Sequence, residues 1–279
     1  MTGHRPYPSD ISDARWALIE PTLTAWQQAR LERRATDTPA PTDLRDVINA
    51  LLYLNRTGIS WRYIPHDFPP HGTVYYYYRL WRDEGIFAQL NLELTGLARA
   101  KEGRAPEPTA AIIDTQSVKT SVNALVETQG TDAAKLIVGR KRSIATDALG
   151  LLLAVVVCAA SVSENNAGIR VLDQAKAAHP TITKAWVDQG FKNKFVEHAA
   201  TLGVSAEVVL RNPGVRGFHV LKRRWVVERT FGWLMFHRRL ARDYETLPAS
   251  SEAMIHLAMI DNVSKRITGE TTPTWRGTY

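Results

Sequence analysis

Residues 110–120 read AAIIDTQSVKT, an apolar run of alanine and isoleucine that leads straight into Asp114. So short and continuous an apolar run, rich in β-branched residues, predicts a buried strand, with the acid where the strand leaves the core. The same grammar returns at 184–191, KAWVDQGF, where Asp188 closes an apolar run and Gly190 supplies the exit turn. A third acid, Glu228, lies in KRRWVVERTFGWL (222–234), which reads as a basic amphipathic helix. Each acid alone has a plain structural role. Asp114 can end strand pairing, Asp188 can form an Asx-turn before Gly190, and Glu228 can pair with Arg224 one helical turn earlier. Together, two carboxylates at strand ends and a third on a later helix can converge on a pair of divalent metals. Such a pair activates the attacking oxygen and stabilises the leaving one in phosphodiester chemistry.

Working outward from 110–120, a basic run, GRKRSIATD (139–147), reads as the next strand. The turn DALG follows, then LLLAVVVCAASV (151–162), a strand pair hinged near Gly150. Next come a helix (NNAGIRVLDQAKAAHP), the strand AWVD, a helix (FVEHAATLG), the strand AEVVLRN, the basic helix and a closing helix (SSEAMIHLAMIDNVSKRI). Antiparallel opening strands followed by α/β alternation predict a mixed α/β fold, a five-stranded sheet flanked by helices. Acids on the first strand, the fourth strand and the penultimate helix are the arrangement of a ribonuclease-H-like catalytic fold.

Upstream of KEGRAPEPTA (101–110), which reads as a linker, the chain is helical. Ser12 is a candidate N-cap for DARWALIEPTL, with Pro21 restricting that helix and the polar residues 24–42 reading as a loop. Asp43 opens a helix that Gly58 closes, PHDFPPHG is a rigid turn, and a helix from Thr73 carries Arg79, Arg82 and four consecutive tyrosines. Two of those tyrosines are expected to pack inward, as are Trp61, Phe68 and Trp81. The expected division is 1–100 helical and helix-turn-helix-like, 101–110 linker, 111–270 catalytic and 271–279 tail.

The net charge of +7 is localised. Residues 216–242 hold eight Lys/Arg against Glu228 alone, which is the whole excess, and the remainder is neutral. A basic segment around the third acid points to a polyanion. The single cysteine, Cys158, excludes a disulfide framework and a cysteine-based zinc site. The longest apolar stretch is too short for a membrane helix, and MTGHRPYPSD has no signal-peptide core, so a cytoplasmic protein is expected.

Several motifs in the same order resemble the DDE transposases of bacterial insertion sequences, from about Tyr7 to Ile267. The resemblance rests on DARWALIEP, DLRDVINALLYLNRTGISWRYIPHDFPP and TVYYYYRLWRDEG in the helical part. In the catalytic part it rests on IIDTQSVKT, GRKRSIATDALGLLLAVVVCAASV, WVDQGF and RRWVVERTFGWLMFHRRLARDYE. It implies that Asp114, Asp188 and Glu228 are a catalytic triad holding two Mg²⁺ ions, replaceable by Mn²⁺, and that Arg224 contacts DNA near the scissile phosphate. It also implies double-stranded DNA partners, the terminal inverted repeats and a target, and a homodimer or higher oligomer on DNA near the nucleoid. Lys222, Arg223 and Arg229 are placed to add positive charge, with Lys119, Arg140, Lys141 and Arg142 as further candidates. The chain departs from the family at Leu221, where tyrosine is frequent, and at Met235, where a base is frequent. Those contacts are then either missing or supplied by His237, Arg238 or Arg239. Phe191 stands where tyrosine is common. The rival readings are another ribonuclease-H-like nuclease and an inactive, transposase-derived DNA-binding regulator.

Overall fold

The computed structural model describes residues 6–33, 42–209 and 224–271. Four helices come first: α1 (Asp13–Glu32), α2 (Leu44–Thr57), α3 (His71–Asp83) and α4 (Ile86–Lys101). The predicted caps are present. Ser12 accepts from the Arg15 amide, Asp43 accepts from the Arg45 amide at 2.7 Å, and Gly58 closes α2 in the left-handed region at φ 76°. Contrary to expectation, α1 runs through Pro21 to Glu32 and takes in much of the predicted loop. Pro21 sits on the exposed face, while Ile19 and Leu23 are buried, so packing outweighs the backbone bond a proline forfeits.

The sheet contains β1 (Ala110–Lys119), β2 (Gly130–Asp132), β3 (Ile137–Thr146), β4 (Leu152–Ala159), β5 (Lys184–Asp188) and β6 (Ser205–Val209). Strands β4, β3 and β1 are antiparallel neighbours, and β1, β5 and β6 are parallel ones. This is the expected mixed ribonuclease-H-like sheet with one addition, the three-residue β2 paired to the start of β3. Asp147 organises the β3–β4 turn. Its Oδ1 accepts from the amides of Leu149 and Leu151, its other oxygen pairs with Arg99, and Gly150 takes φ 81°.

Helices α5 (Glu164–Ala178) and α6 (Asn193–Thr201) cover one face of the sheet, burying Ile113, Val187, Val171 and Phe195 together. The other face carries Ile112, Ile144 and Val155 and packs against α7 (Arg224–Leu234) and α8 (Pro248–Thr268). The core on this second face continues without a break into α1–α4. Two polar bonds stitch the seam: Tyr78 Oη donates to the Ser250 carbonyl at 2.7 Å, and Asn55 Nδ2 to that of Met254 at 2.9 Å. Of the four tyrosines, Tyr78 is buried, Tyr77 half-buried, and Tyr75 and Tyr76 exposed.

Burial also sets a pH dependence. His237 and His256 are held neutral by burial, their pKa pushed down to about 4. Unfolded histidine titrates near 6.5, so between about pH 6.5 and 4 the unfolded chain binds protons that the folded chain refuses. Each histidine therefore costs up to ~3 kcal/mol of stability as the pH falls through that window. Glu252, buried with its carboxylate accepting from the Val157 amide, is pushed up to about 7 and acts oppositely. Its contribution is full below about pH 4.3 and is lost as the pH rises through 7. Two histidines outweigh one glutamate, so the melting temperature should fall from pH 6.5 to 4.5. Glu252→Gln should steepen that fall about twofold in thermal unfolding; an unchanged slope would contradict the assignment.

Candidate active site

Strands β1 and β5 pair in parallel, Ala110 opposite Lys184 and Ile112 opposite Trp186. Asp114 lies two residues beyond Ile112 on β1, opposite Ile144 of β3, and Asp188 lies two residues beyond Trp186, as the last residue of β5. Side chains alternate along a strand, so Asp114 shares the face of Ile112, and Asp188 that of Trp186. Ile112 and Trp186 both belong to the core under α7 and α8. Both acids are therefore half-buried on the α7 side, Asp188 at the carboxyl end of β5 but Asp114, contrary to expectation, in the middle of β1, whose pairing with β3 carries it on to Lys119. Asp114 Oδ1 accepts from the Thr115 amide at 2.7 Å. Asp188 Oδ1 accepts from the Gly190 amide at 2.9 Å, the Asx-turn that the Asp-Gln-Gly spacing suggests.

Helix α7 packs on β1, β3 and β5 of that same face. Val227, Thr230, Phe231 and Leu234 form its buried stripe at helical spacing. Glu228 follows Val227 directly and is exposed at the margin of this stripe. Arg229 is not a loose surface cation. Its guanidinium lies between the rings of Trp225 (4.5 Å) and Trp233 (4.7 Å) and donates to the Leu149 carbonyl at 2.9 Å. It clamps α7 to the β3–β4 turn.

A fourth carboxylate, absent from the sequence reading, borders the aspartates. Glu164, the first residue of α5, accepts from Thr115 Oγ1 at 3.2 Å and lies 3.5 Å from Lys135 Nζ. A Cβ on Gly190 would collide with the Glu164 carboxylate and come within 3.0 Å of Asp188 Oδ1. The only sequence signal was the helix start itself, Ser163 capping ahead of Glu164. Gly190→Ala is expected to cost only about 1 kcal/mol of stability, because the Glu164 side chain can swing away. It should slow DNA cleavage about a hundredfold by displacing Asp188. Unfolding and cleavage assays on one preparation separate the two effects.

The other candidate cations divide sharply. Arg140, Lys141 and Arg142 are buried and serve neither a DNA path nor a solvated hairpin. Arg140 bonds the carbonyls of Glu245 and Thr246, Lys141 that of Val162, and Arg142 that of Leu240. Arg239 is buried against Glu245 and the Ile59 carbonyl. His237 is buried and neutral, so it supplies no positive charge to DNA. Arg82 is committed to Asp83 and Ser250, whereas Arg79, Lys119 and Arg238 are exposed. Phe191 is a core anchor packed edge-on to Phe195 at 5.0 Å and tight against Gly168, which leaves no room for a hydroxyl. Met235 is exposed at the end of α7. Leu221, Lys222, Arg223 and the Arg224 side chain lie outside the described residues.

The donor set suits a hard divalent cation. It offers carboxylate oxygens and no thiolate, since Cys158 is buried within β4. Among the described residues, no three His, Cys, Asp or Glu side chains are grouped closely enough to hold a metal. The aspartates lie on neighbouring parallel strands, and Glu228 is on the helix that packs on the same face.

This mixed sheet, with its covering helices, has the architecture of a ribonuclease-H-like DDE fold. The model of the transposase DDE domain family matches residues 105–263, more than half of the chain, and the chain belongs to that family. A second model, of proposed transposases of the IS4/5 family, matches residues 11–91. No curated protein matches the chain. Membership implies DNA binding, and domains of this family generally use divalent metal ions. No helix among the described residues is long and apolar enough to cross a membrane.

Proposed function

We propose that this transposase cleaves DNA at the ends of an insertion sequence and joins the freed ends to target DNA. Asp114, Asp188 and Glu228 would hold two Mg²⁺ ions, for which Mn²⁺ can substitute. The observation that supports the reading is that Asp114 and Asp188 lie on the α7-facing side of the neighbouring parallel strands β1 and β5, beneath the helix that bears Glu228. When bound, the ions supply a more acidic attacking oxygen and offset charge on the phosphate oxygens. The protein's own part is positional. Neighbouring strands buried on both faces hold Asp114 and Asp188 steady, and the Arg229 clamp sets the pitch of α7 and with it Glu228.

In the first step a water oxygen bonds to phosphorus and loses a proton to solvent. The bond from phosphorus to the 3′ oxygen breaks and that oxygen is protonated, leaving a 3′-hydroxyl and a 5′-phosphate. In the second, this hydroxyl forms a new phosphorus–oxygen bond in target DNA, whose own 3′ oxygen departs. Lys222, Arg223 and Arg224, ahead of α7, and the exposed Arg238 and Arg79 would line the path of the DNA. Residues 1–100 would recognise the ends and 111–270 perform the chemistry, in a homodimer or larger assembly in the bacterial cytoplasm.

The test is to mix the full chain with a duplex ending in its element's 3′-hydroxyl, a supercoiled plasmid and Mg²⁺. Joined product is expected from the hydroxyl end and none from a 3′-dideoxy end. No joining from the hydroxyl end would refute strand transfer.

A further inference from the structure

Where the α2–α3 connection meets the segment following α7 there is a cavity of about 830 Å³. That is the size range of sites that enclose small ligands, about 300–1,000 Å³. Its walls are aromatic and cationic: Trp61, Tyr75 and Tyr244 with Arg62, His71 and Arg239. The back wall is built in advance. Trp61 meets Tyr75 edge-on at 5.0 Å, and the Arg239 guanidinium lies 5.4 Å from the Trp61 ring. Arg239 is itself pinned by Glu245 at 2.7 Å and the Ile59 carbonyl at 2.8 Å. The open wall still has surface to give, since Tyr75 is 44% exposed and Tyr244 39%, and Arg62 and His71 are exposed beside them. Gly72, in the first turn of α3, faces open space. Pro70 before it provides no side-chain cap, and its carbonyl accepts from the amides of Thr73 and Val74.

Of the three arginines lining the cavity, Arg239 is paired with Glu245 and Arg82 with Asp83, which leaves the exposed Arg62 to face an anionic ligand. Aromatic faces within a cavity can be reached only by a base already out of its stack, and stacking with nearby guanidinium charge is how single strands are held. We propose that this cavity binds one or two nucleotides of single-stranded DNA, with an unpaired base on Tyr75 and Tyr244 and its phosphate at Arg62 and His71. The inference rests on the transposase reading and adds to it a second strand-holding site, built where the helical part meets the sheet.

The test uses the full chain and fluorescence anisotropy, with a labelled ten-residue thymidine oligonucleotide and, in parallel, a duplex. Tyr75→Ala should weaken binding of the single strand about tenfold, the value of one stacked base, while Tyr75→Phe stays within about twofold of the parent. Arg62→Ala should lower the slope of log affinity against log salt by about 0.7, one phosphate contact on a single strand. Duplex binding should stay within about twofold for all three, which also shows that they fold. Unchanged single-strand binding by Tyr75→Ala, or equal losses on single strand and duplex, would overturn the proposal. Running the plasmid-joining assay beside it separates the two ideas. Joining without an effect of Tyr75→Ala on the single strand rejects the cavity alone. A single-strand loss in a protein that cannot join DNA supports the cavity and rejects transposition.

Discussion

Asp188→Asn is expected to reduce metal-dependent DNA cleavage by at least about a thousandfold while leaving the fold intact. The side chain is half-buried at a strand end, and its acceptance from the Gly190 amide can be kept by the amide oxygen of asparagine. Stability should therefore stay within about 0.5 kcal/mol of the parent. What is lost is a charged oxygen donor for a hard cation. A bound cation supplies several kcal/mol of transition-state stabilisation, and forfeiting about 4 kcal/mol is about a thousandfold in rate. Asp114→Asn should behave alike, since it is half-buried on the same face of the neighbouring strand and its acceptance from the Thr115 amide can likewise be kept. Both variants should also lose the rise in melting temperature that Mg²⁺ gives the parent, a readout independent of turnover. Cleavage retained by either variant would remove that acid from the chemistry.

The largest expected effect on stability lies at a residue that touches no site. Arg140 is 0% exposed, yet it carries a full charge at the centre of a network. It donates to the carbonyls of Glu245 (2.8 Å) and Thr246 (2.6 Å) and to Thr128 Oγ1 (2.6 Å), and lies 3.3 Å from the Asp243 carboxylate. Asp243 in turn accepts from Ser251 Oγ, at the start of α8. Arg140→Ala strips the counter-charge from a buried carboxylate, takes the side-chain donor from the Glu245 carbonyl and leaves the Thr246 carbonyl only the longer bond from the Leu125 amide at 3.4 Å. A cost of about 3–5 kcal/mol is expected, of the order of 10 °C in melting temperature for a chain of this size. A shift under about 1 kcal/mol would mean that water or another cation takes its place. The same loss should loosen the 244–247 wall of the cavity, because Arg140 holds the carbonyls of two of its residues.

These two positions show what one sequence makes legible. Asp188 could be found because its signal is local, an apolar run that ends in an acid and a turn residue; the apolar run before Asp114 was equally local, but it did not show that β1 continues past the acid to Lys119. The caps at Ser12, Asp43 and Gly58 were legible for the same reason, each resting on the chemistry of a few adjacent residues. The inward turn of Arg140 and Arg142 was not. Their spacing of two puts both on the face of Ile144, but what stands opposite them is a segment about a hundred residues later. That segment has few backbone partners of its own, and the arginines supply its donors. Helix α1 passed through Pro21 because distant packing outweighed local propensity, and β2 was too short to show a pattern. Glu164 was overlooked because nothing in its own neighbourhood says that α5 begins beside Gly190.

The central claim is that the Asp114–Asp188 pair, with Glu228 on the helix above, makes this transposase a metal-dependent DNA-cleaving enzyme. The most direct measurement is to incubate the purified chain with a fragment carrying its gene and native flanks, with and without Mg²⁺, and to map any new ends. The account predicts Mg²⁺-dependent breaks at short inverted repeats bounding the gene, each with a 3′-hydroxyl, and none with Asp188→Asn. Tight binding to those flanks without cleavage in either Mg²⁺ or Mn²⁺ would contradict it and identify a DNA-binding regulator in its place.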